Sequence, residues 1–230
     1  MELSPQEIDA IFLSIKVSIW SVVFSLLPAV YIAYVLSRKN FWGRQALNVL
    51  VHIPLILPPV VTGYFLLILF SRTGLIGRFL DTYFGITVAF HWFGAVLAAS
   101  IMSFPLMVRA FRLGFESVDP KLEVAAHSLG ANRFMIFLTI TLPLVIPALI
   151  TGAILGFAKS MGEFGATITF VSNIPGQTQT VPSAIFEFLQ LPGNNFMTIR
   201  LVCLSLLISI VALYISEVLA SRLSQREHSE

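Results

Sequence analysis

Five apolar stretches, each separated by polar or heavily punctuated segments, constrain this chain more than any other feature. A helix needs about 20 apolar residues to cross the hydrocarbon core of a bilayer. The stretches run over roughly 11–36, 46–70, 85–108, 137–157 and 201–220. Lipid offers no partner to a free backbone group, so each stretch must be helical. The expectation is an all-α, polytopic membrane helix bundle of about five transmembrane helices, forming one domain over residues 1–230. Composition agrees, with 57% hydrophobic and 11% charged residues, whereas a soluble domain carries ~25% charged residues. Lys16 interrupts the first stretch near its start, where its long stem can carry the charge to the interface.

Met1–Ala10 holds Glu2, Glu7 and Asp9 and no basic residue, which is not the pattern of a secretory signal, so the first stretch is expected to stay in the membrane. The single cysteine, Cys203, sits in an apolar stretch and excludes an internal disulfide or a multi-cysteine metal site. His52 and His91 lack the spacing of metal ligands. No metal, cofactor or nucleic acid is expected.

Basic residues near the ends of spans mark the cytoplasmic side. Arg38, Lys39 and Arg44 lie between the first and second stretches. Arg109, Arg112, Lys121 and Arg133 lie between the third and fourth, and Arg222 and Arg226 follow the fifth. Arg72, Arg78, Lys159 and Arg200 are spread more thinly over the other side. This bias predicts a periplasmic N-terminus and a cytoplasmic C-terminus, hence an odd number of spans. Pro54, Pro58 and Pro59 interrupt the second stretch, and Pro143 and Pro147 the fourth. Proline frees carbonyls and kinks a helix, and broken helices either line a transport pathway or accommodate packing between curved neighbours. Between Lys159 and Ile199 the chain is punctuated by glycine and proline. A short interfacial helix over Val181–Gln190 and an apolar piece over Phe164–Val171, too short to span, are expected there.

The loop between the third and fourth stretches carries its own helix signals. Asp119 reads as an N-cap and Pro120 as the first helical residue, and Gly130 fits a left-handed C-terminal position. In the helix between them Leu122, Ala125, Ala126 and Leu129 fall on one face. That face either docks on another subunit or rests on the chain's own spans.

The stretch from Glu123 to Ala131, continuing to Ile140-Thr141-Leu142-Pro143, resembles the EAA loop of binding-protein-dependent ABC importer permeases, in which Glu-Ala-Ala is followed after three residues by Gly and nine later by Ile-x-Leu-Pro. Ala125, Ala126, Gly130, Ile140, Leu142 and Pro143 are in register. The motif's acid position holds Val124, and the carboxylate stands one place earlier at Glu123. Leu57–Tyr64, Gly162–Val171, Asn173–Gly176 and Thr180–Pro182 are further similar to the molybdate branch of that family, with Gly-Glu-Phe-Gly shared by sulfate and tungstate permeases. The resemblance implies a MetI-like ABC importer permease fold in the bacterial inner membrane. It implies a homodimer that moves molybdate by alternating access, with tungstate or sulfate as alternatives. It also implies two separate ABC ATPase subunits and a periplasmic molybdate-binding protein as partners. The helix at about 120–130 would be the ATPase-coupling element, through Leu122, Glu123, Ala125, Ala126, Leu129 and Gly130. No Gly-rich phosphate loop is present, so ATP would be hydrolysed on another chain.

Pro58, Pro59, Thr62, Gly63, Ser160, Glu163, Gly165 and Thr167 are the candidate pathway or gate residues. Hydroxyls suit transient passage of an anion, although they can equally be satisfied by carbonyls of their own helix. Glu163 follows Lys159 by one turn and can pair with it. A bare carboxylate repels an oxyanion, so Glu163 is expected to be structural or gating and not a ligand. An ion-gradient-driven transporter would need repeats or mid-membrane acids, and a membrane enzyme would need convergent polar groups at one depth; neither is evident.

Overall fold

A computed structural model of the chain describes residues 3–191 and 195–227. Ser4 opens the first helix, α1 (Pro5–Arg38), through a reciprocal capping box with Glu7, and Pro5 occupies the first helical position, where its missing N–H costs nothing. One face of α1 carries Ser14, Ser18, Ser21, Ser25, Ala29 and Ala33, all buried. Small side chains at three- and four-residue spacing let neighbouring helices approach closely. α5 (Trp92–Ser117) and α8 (Leu142–Met161) lie against that face. α8 runs antiparallel to α5, since Gly114 meets Val145 and Ala148, Gly152 meets Phe111, and Gly156 meets Met107. Phe111, Phe115, Met107 and Val145 are fully enclosed in this three-helix centre.

The second apolar stretch is broken. It forms α2 (Arg44–Ile56) and α3 (Pro59–Phe70), bent by 109° at Leu57-Pro58. Neither Pro58 nor Pro59 has an N–H to continue the ladder, and the residue before a proline is driven to extended backbone; Leu57 accordingly has ψ 142°. An unanticipated amphipathic helix, α4 (Leu75–Phe84), follows. The third stretch was expected over 85–108; the helix instead begins at Trp92, where His91 caps it, and continues to Ser117. The connecting helix is α6 (Pro120–Ser128), capped by the Asp119 carboxylate as expected.

The fourth span begins with α7 (Arg133–Ile136) and passes through a π turn (Phe137–Thr141) into α8. The π turn ends two residues before Pro143, whose ring removes an i→i−4 bond and crowds the preceding turn. α9 (Gly165–Val171) and α10 (Val181–Gln190) match the expected short pieces, and neither is long enough to cross a bilayer. α11 (Asn195–Glu227) is the fifth apolar element. α1, α5 and α7–α8 are therefore long enough to span, and α2–α3 is a broken span or a re-entrant pair. No strand occurs among the described residues.

Candidate functional site

Two regions collect the residues that the sequence singles out. The first is α6. None of its residues is buried; Leu122 is 47% exposed and Leu129 90%. Ala125 is exposed and Ala126 half-buried. Its end is closed by bonds from the Ala131 N–H to the Ala126 carbonyl (3.2 Å) and from the Gly130 N–H to the His127 carbonyl (3.0 Å). This closure needs a left-handed residue just past the helix, and Gly130 supplies it at φ +90°. The Leu-Ala-Ala-Leu face thus stays largely open and does not rest on the chain's own spans.

Glu123 does the opposite and points inward. Its Oε1 lies 3.1 Å from Arg38 Nη2, at the end of α1, and accepts a 2.9 Å hydrogen bond from Thr141 Oγ1, at the end of the π turn. Arg38 also donates to the Val118 carbonyl (3.0 Å). One carboxylate therefore ties an otherwise exposed helix to two spans. Val124, at the EAA acid position, is exposed and carries no charge. A cavity of about 640 Å³ opens beneath α6, walled by Arg38, Lys39, Glu123, His127 and Arg133 among others.

The second region is the contact of α3 with α9. A Cβ on Gly63 would stand 2.5 Å from the Ala166 carbonyl oxygen and 2.9 Å from Thr169 Cβ; one on Gly165 would stand 2.7 Å from Pro59 Cβ. Only hydrogen side chains permit this approach, so Pro59, Gly63 and Gly165 form one seam. Thr62 is buried beside it, and its Oγ1 has no partner among the described residues. Glu163 is buried at the turn leading into α9. Its Oε2 takes the Lys159 ammonium at 2.7 Å and its Oε1 accepts from the Ala166 N–H at 3.0 Å. That carboxylate is structurally engaged on both oxygens. Thr167 donates to the Phe164 carbonyl (2.9 Å), so its hydroxyl is satisfied by its own turn.

Ser160 does not join this seam; its Oγ lies 2.7 Å from Ser21 Oγ, in the α1–α8 interface. Ser21 is near the middle of α1, so α8 ends, and the α9 turn begins, about halfway along the first span. Sequence reasoning missed two features. The serine–alanine stripe of α1 was visible as a small-residue periodicity. The ion pair of fully buried Glu7 with Arg200, in which Nε donates to Oε1 at 2.8 Å, joins residues nearly the whole chain apart and left no local signal.

Residues 21–225 match the family described as binding-protein-dependent transport system inner membrane component. The Escherichia coli (strain K12) molybdenum transport system permease protein ModB is 54% identical over 220 residues, 96% of each chain. The Haemophilus influenzae protein of the same name is 49% identical over the same share. The Salmonella typhimurium sulfate transport system permease protein CysT is 36% identical over 81% of this chain and 67% of its own. Among solved structures, a bacterial ABC transporter involved in alginate import aligns with a TM-score of 0.72 at 20% identity, covering 97% of this chain and 80% of that one. The inward-facing MetNI methionine transporter aligns at 0.71 and 12% identity, covering 94% and 95%. These two support the fold alone.

Proposed function

Because the chain belongs to the binding-protein-dependent transport system inner membrane components, we propose that it is the permease subunit of an ATP-driven molybdate importer. It is a multi-pass inner-membrane protein. The observation that carries the substrate is the 49–54% identity, over 96% of the chain, to permeases named for molybdenum transport; the sulfate permease is related at 36%.

Two copies form the pathway at their interface, with the N-termini periplasmic, in accord with the clustering of Arg38, Lys39, Arg44, Arg112 and Lys121 at one end. A separate ATPase subunit docks on the open face of each α6, through Leu122, Ala125 and Leu129, while Glu123 passes its displacement to α1 and the π turn. The broken second span meets α9 at the α3–α9 seam, which opens and closes the route. Pro58, Pro59, Thr62, Gly63, Gly165 and Thr167 belong to that gate, and Ser160 and Glu163 support it. A periplasmic molybdate-binding protein delivers the anion, in keeping with a seam in which Thr62 keeps the one unpaired hydroxyl and no cluster of free cations stands among the described residues, so that it releases what it passes.

The test is uptake of labelled molybdate into proteoliposomes holding the permease, its ATPase and a binding protein, with ATP inside and sulfate or tungstate as competitors. ATP-dependent molybdate uptake that excess sulfate leaves unchanged is expected. Uptake driven by an ion gradient without ATP would overturn the reading.

A further inference from the structure

An apolar groove of about 580 Å³ lies between α1, α2 and α5, and the reading of function leaves it unused. Its wall includes Phe24, Pro28, Leu50, Val51, Val96 and Phe104, and its only polar residues are Ser25 and Ser100. Leu50 and Phe24 remain largely exposed along it, so it opens sideways from the bundle.

The groove continues toward two cations, one on α2 and one on α5. A second cavity, of about 220 Å³, is lined by Leu36, Arg44, Gln45, Asn48 and Arg112. On α1 the linings pass from Ile32 to Leu36, one turn on; on α2 they pass from Leu47 to Asn48, its neighbour. Arg44 is fixed by bonds to the Leu36 carbonyl (2.9 Å) and Asn40 Oδ1 (3.0 Å). Arg112 is fixed by Glu116 (2.8 Å) and Asn48 Oδ1 (3.2 Å). Each bond uses Nε or Nη1, so each guanidinium is oriented and keeps its Nη2 donors. Glu116 offsets one charge, and the pair remains net positive.

Depth agrees with a lipid. From Phe24 to Leu36 is twelve helical residues, about 18 Å at ~1.5 Å each, close to half of the ~30 Å hydrocarbon core. On α1 the groove therefore begins about 18 Å from the level of the cations, while on α5 its lining starts at Phe93, nineteen residues before Arg112, or about 28 Å at ~1.5 Å each. Trp42 is fully exposed two residues before Arg44, and tryptophan gathers where hydrocarbon meets headgroups. Basic pockets between membrane helices are a recurrent way of holding anionic headgroups.

We infer that this groove is a binding site for an anionic phospholipid, with an acyl chain along Phe24–Ile32 and Leu47–Pro54 and the phosphate between Arg44 and Arg112. The occupant is a lipid and not a second copy of the chain, because an apolar channel that opens sideways and ends on two oriented cations complements a phospholipid's two parts. The site does not depend on which anion is transported.

The permease–ATPase complex is reconstituted in phosphatidylcholine vesicles containing a trace of phosphatidylglycerol with a photoreactive acyl chain. Labelling of the peptide carrying Leu47–Pro54 is expected, reduced at least fivefold by excess phosphatidylglycerol and unchanged by excess phosphatidylcholine. That competition uses the unaltered protein, so it decides even where a variant is unstable. Arg44→Gln with Arg112→Gln is expected to lower the labelling at least fivefold. Equal competition by both lipids, or undiminished labelling of a folded double variant, would overturn the site. So would efficient chain-to-chain disulfide formation through Leu50→Cys, which places a second copy in the groove.

Discussion

Glu123 is the side chain through which the exposed α6 reaches the spans, and removing its charge is the sharpest test of how the helix acts. Glu123→Gln keeps the size of the side chain and an acceptor for Thr141, and loses the ion pair with Arg38. The two side chains are 24% and 14% exposed. The pair thus falls between a solvated one, about 0.2–1 kcal/mol, and a buried one, whose rupture costs about 3–5 kcal/mol. About 2 kcal/mol is the reasonable middle, equivalent to roughly a 30-fold shift in an equilibrium. α6 has no buried residue, so the substitution leaves its outer face and its docking intact. In proteoliposomes ATP hydrolysis and co-purification of the ATPase should persist, while molybdate moved per ATP falls by about tenfold or more. The charge exchange Arg38→Glu with Glu123→Arg should restore a good part of it, because a double-mutant cycle isolates the pairwise interaction. Unchanged transport per ATP in Glu123→Gln would refute the strut. Loss of ATPase binding would show instead that Glu123 belongs to the docking face.

How much was legible in the sequence follows from the range of each interaction. The caps of α6, its length and the left-handed Gly130 depend on residues within one or two turns, so Asp119, Pro120 and Gly130 announce them. α10 was legible for the same reason, with Thr180 and Pro182 at its start. The break of the second span was signalled by Pro58-Pro59, but its 109° angle was not, since that is set by the packing of α3 on α9. The start of α5 was misread because Gly85–Phe90 is apolar enough for a span, while Phe90 at φ +59° and the cap at His91 delay the helix. The inward turn of Glu123 was out of reach. It needs Arg38 and Thr141, 85 and 18 residues away, at the same point. In the candidate gate Pro59, Gly63 and Gly165 came together, whereas Ser160 turned to Ser21 because α8 ends against the serine face of α1.

Three further substitutions probe separate links. Gly63→Leu forces carbon against the Ala166 carbonyl and Thr169; overpacking of this kind costs about 1–3 kcal/mol, and molybdate uptake should fall several-fold while the complex still assembles, read by size-exclusion beside transport. Gly130→Val places a branched residue at φ +90°, at a cost of at least about 1–2 kcal/mol; it should fray α6 and lower transport-coupled ATPase activity. Lys159→Met leaves the nearly enclosed Glu163 carboxylate without its cation, which costs about 3 kcal/mol, the low end for a broken buried pair because Lys159 is itself partly exposed. Thermal unfolding of the detergent-solubilised complex should therefore shift down markedly. Lys159→Met with Glu163→Gln removes the stranded charge and keeps an acceptor for the Ala166 N–H, so stability and uptake should both recover toward the unaltered protein. That non-additivity separates two roles for Lys159. A cation that met the passing oxyanion would leave uptake abolished in the double variant however stable it became, and recovered stability without recovered uptake would refute the structural role. Recovery of both places the pair in the frame of the gate, where one carboxylate oxygen fixes the start of α9 and the other holds the end of α8 to it.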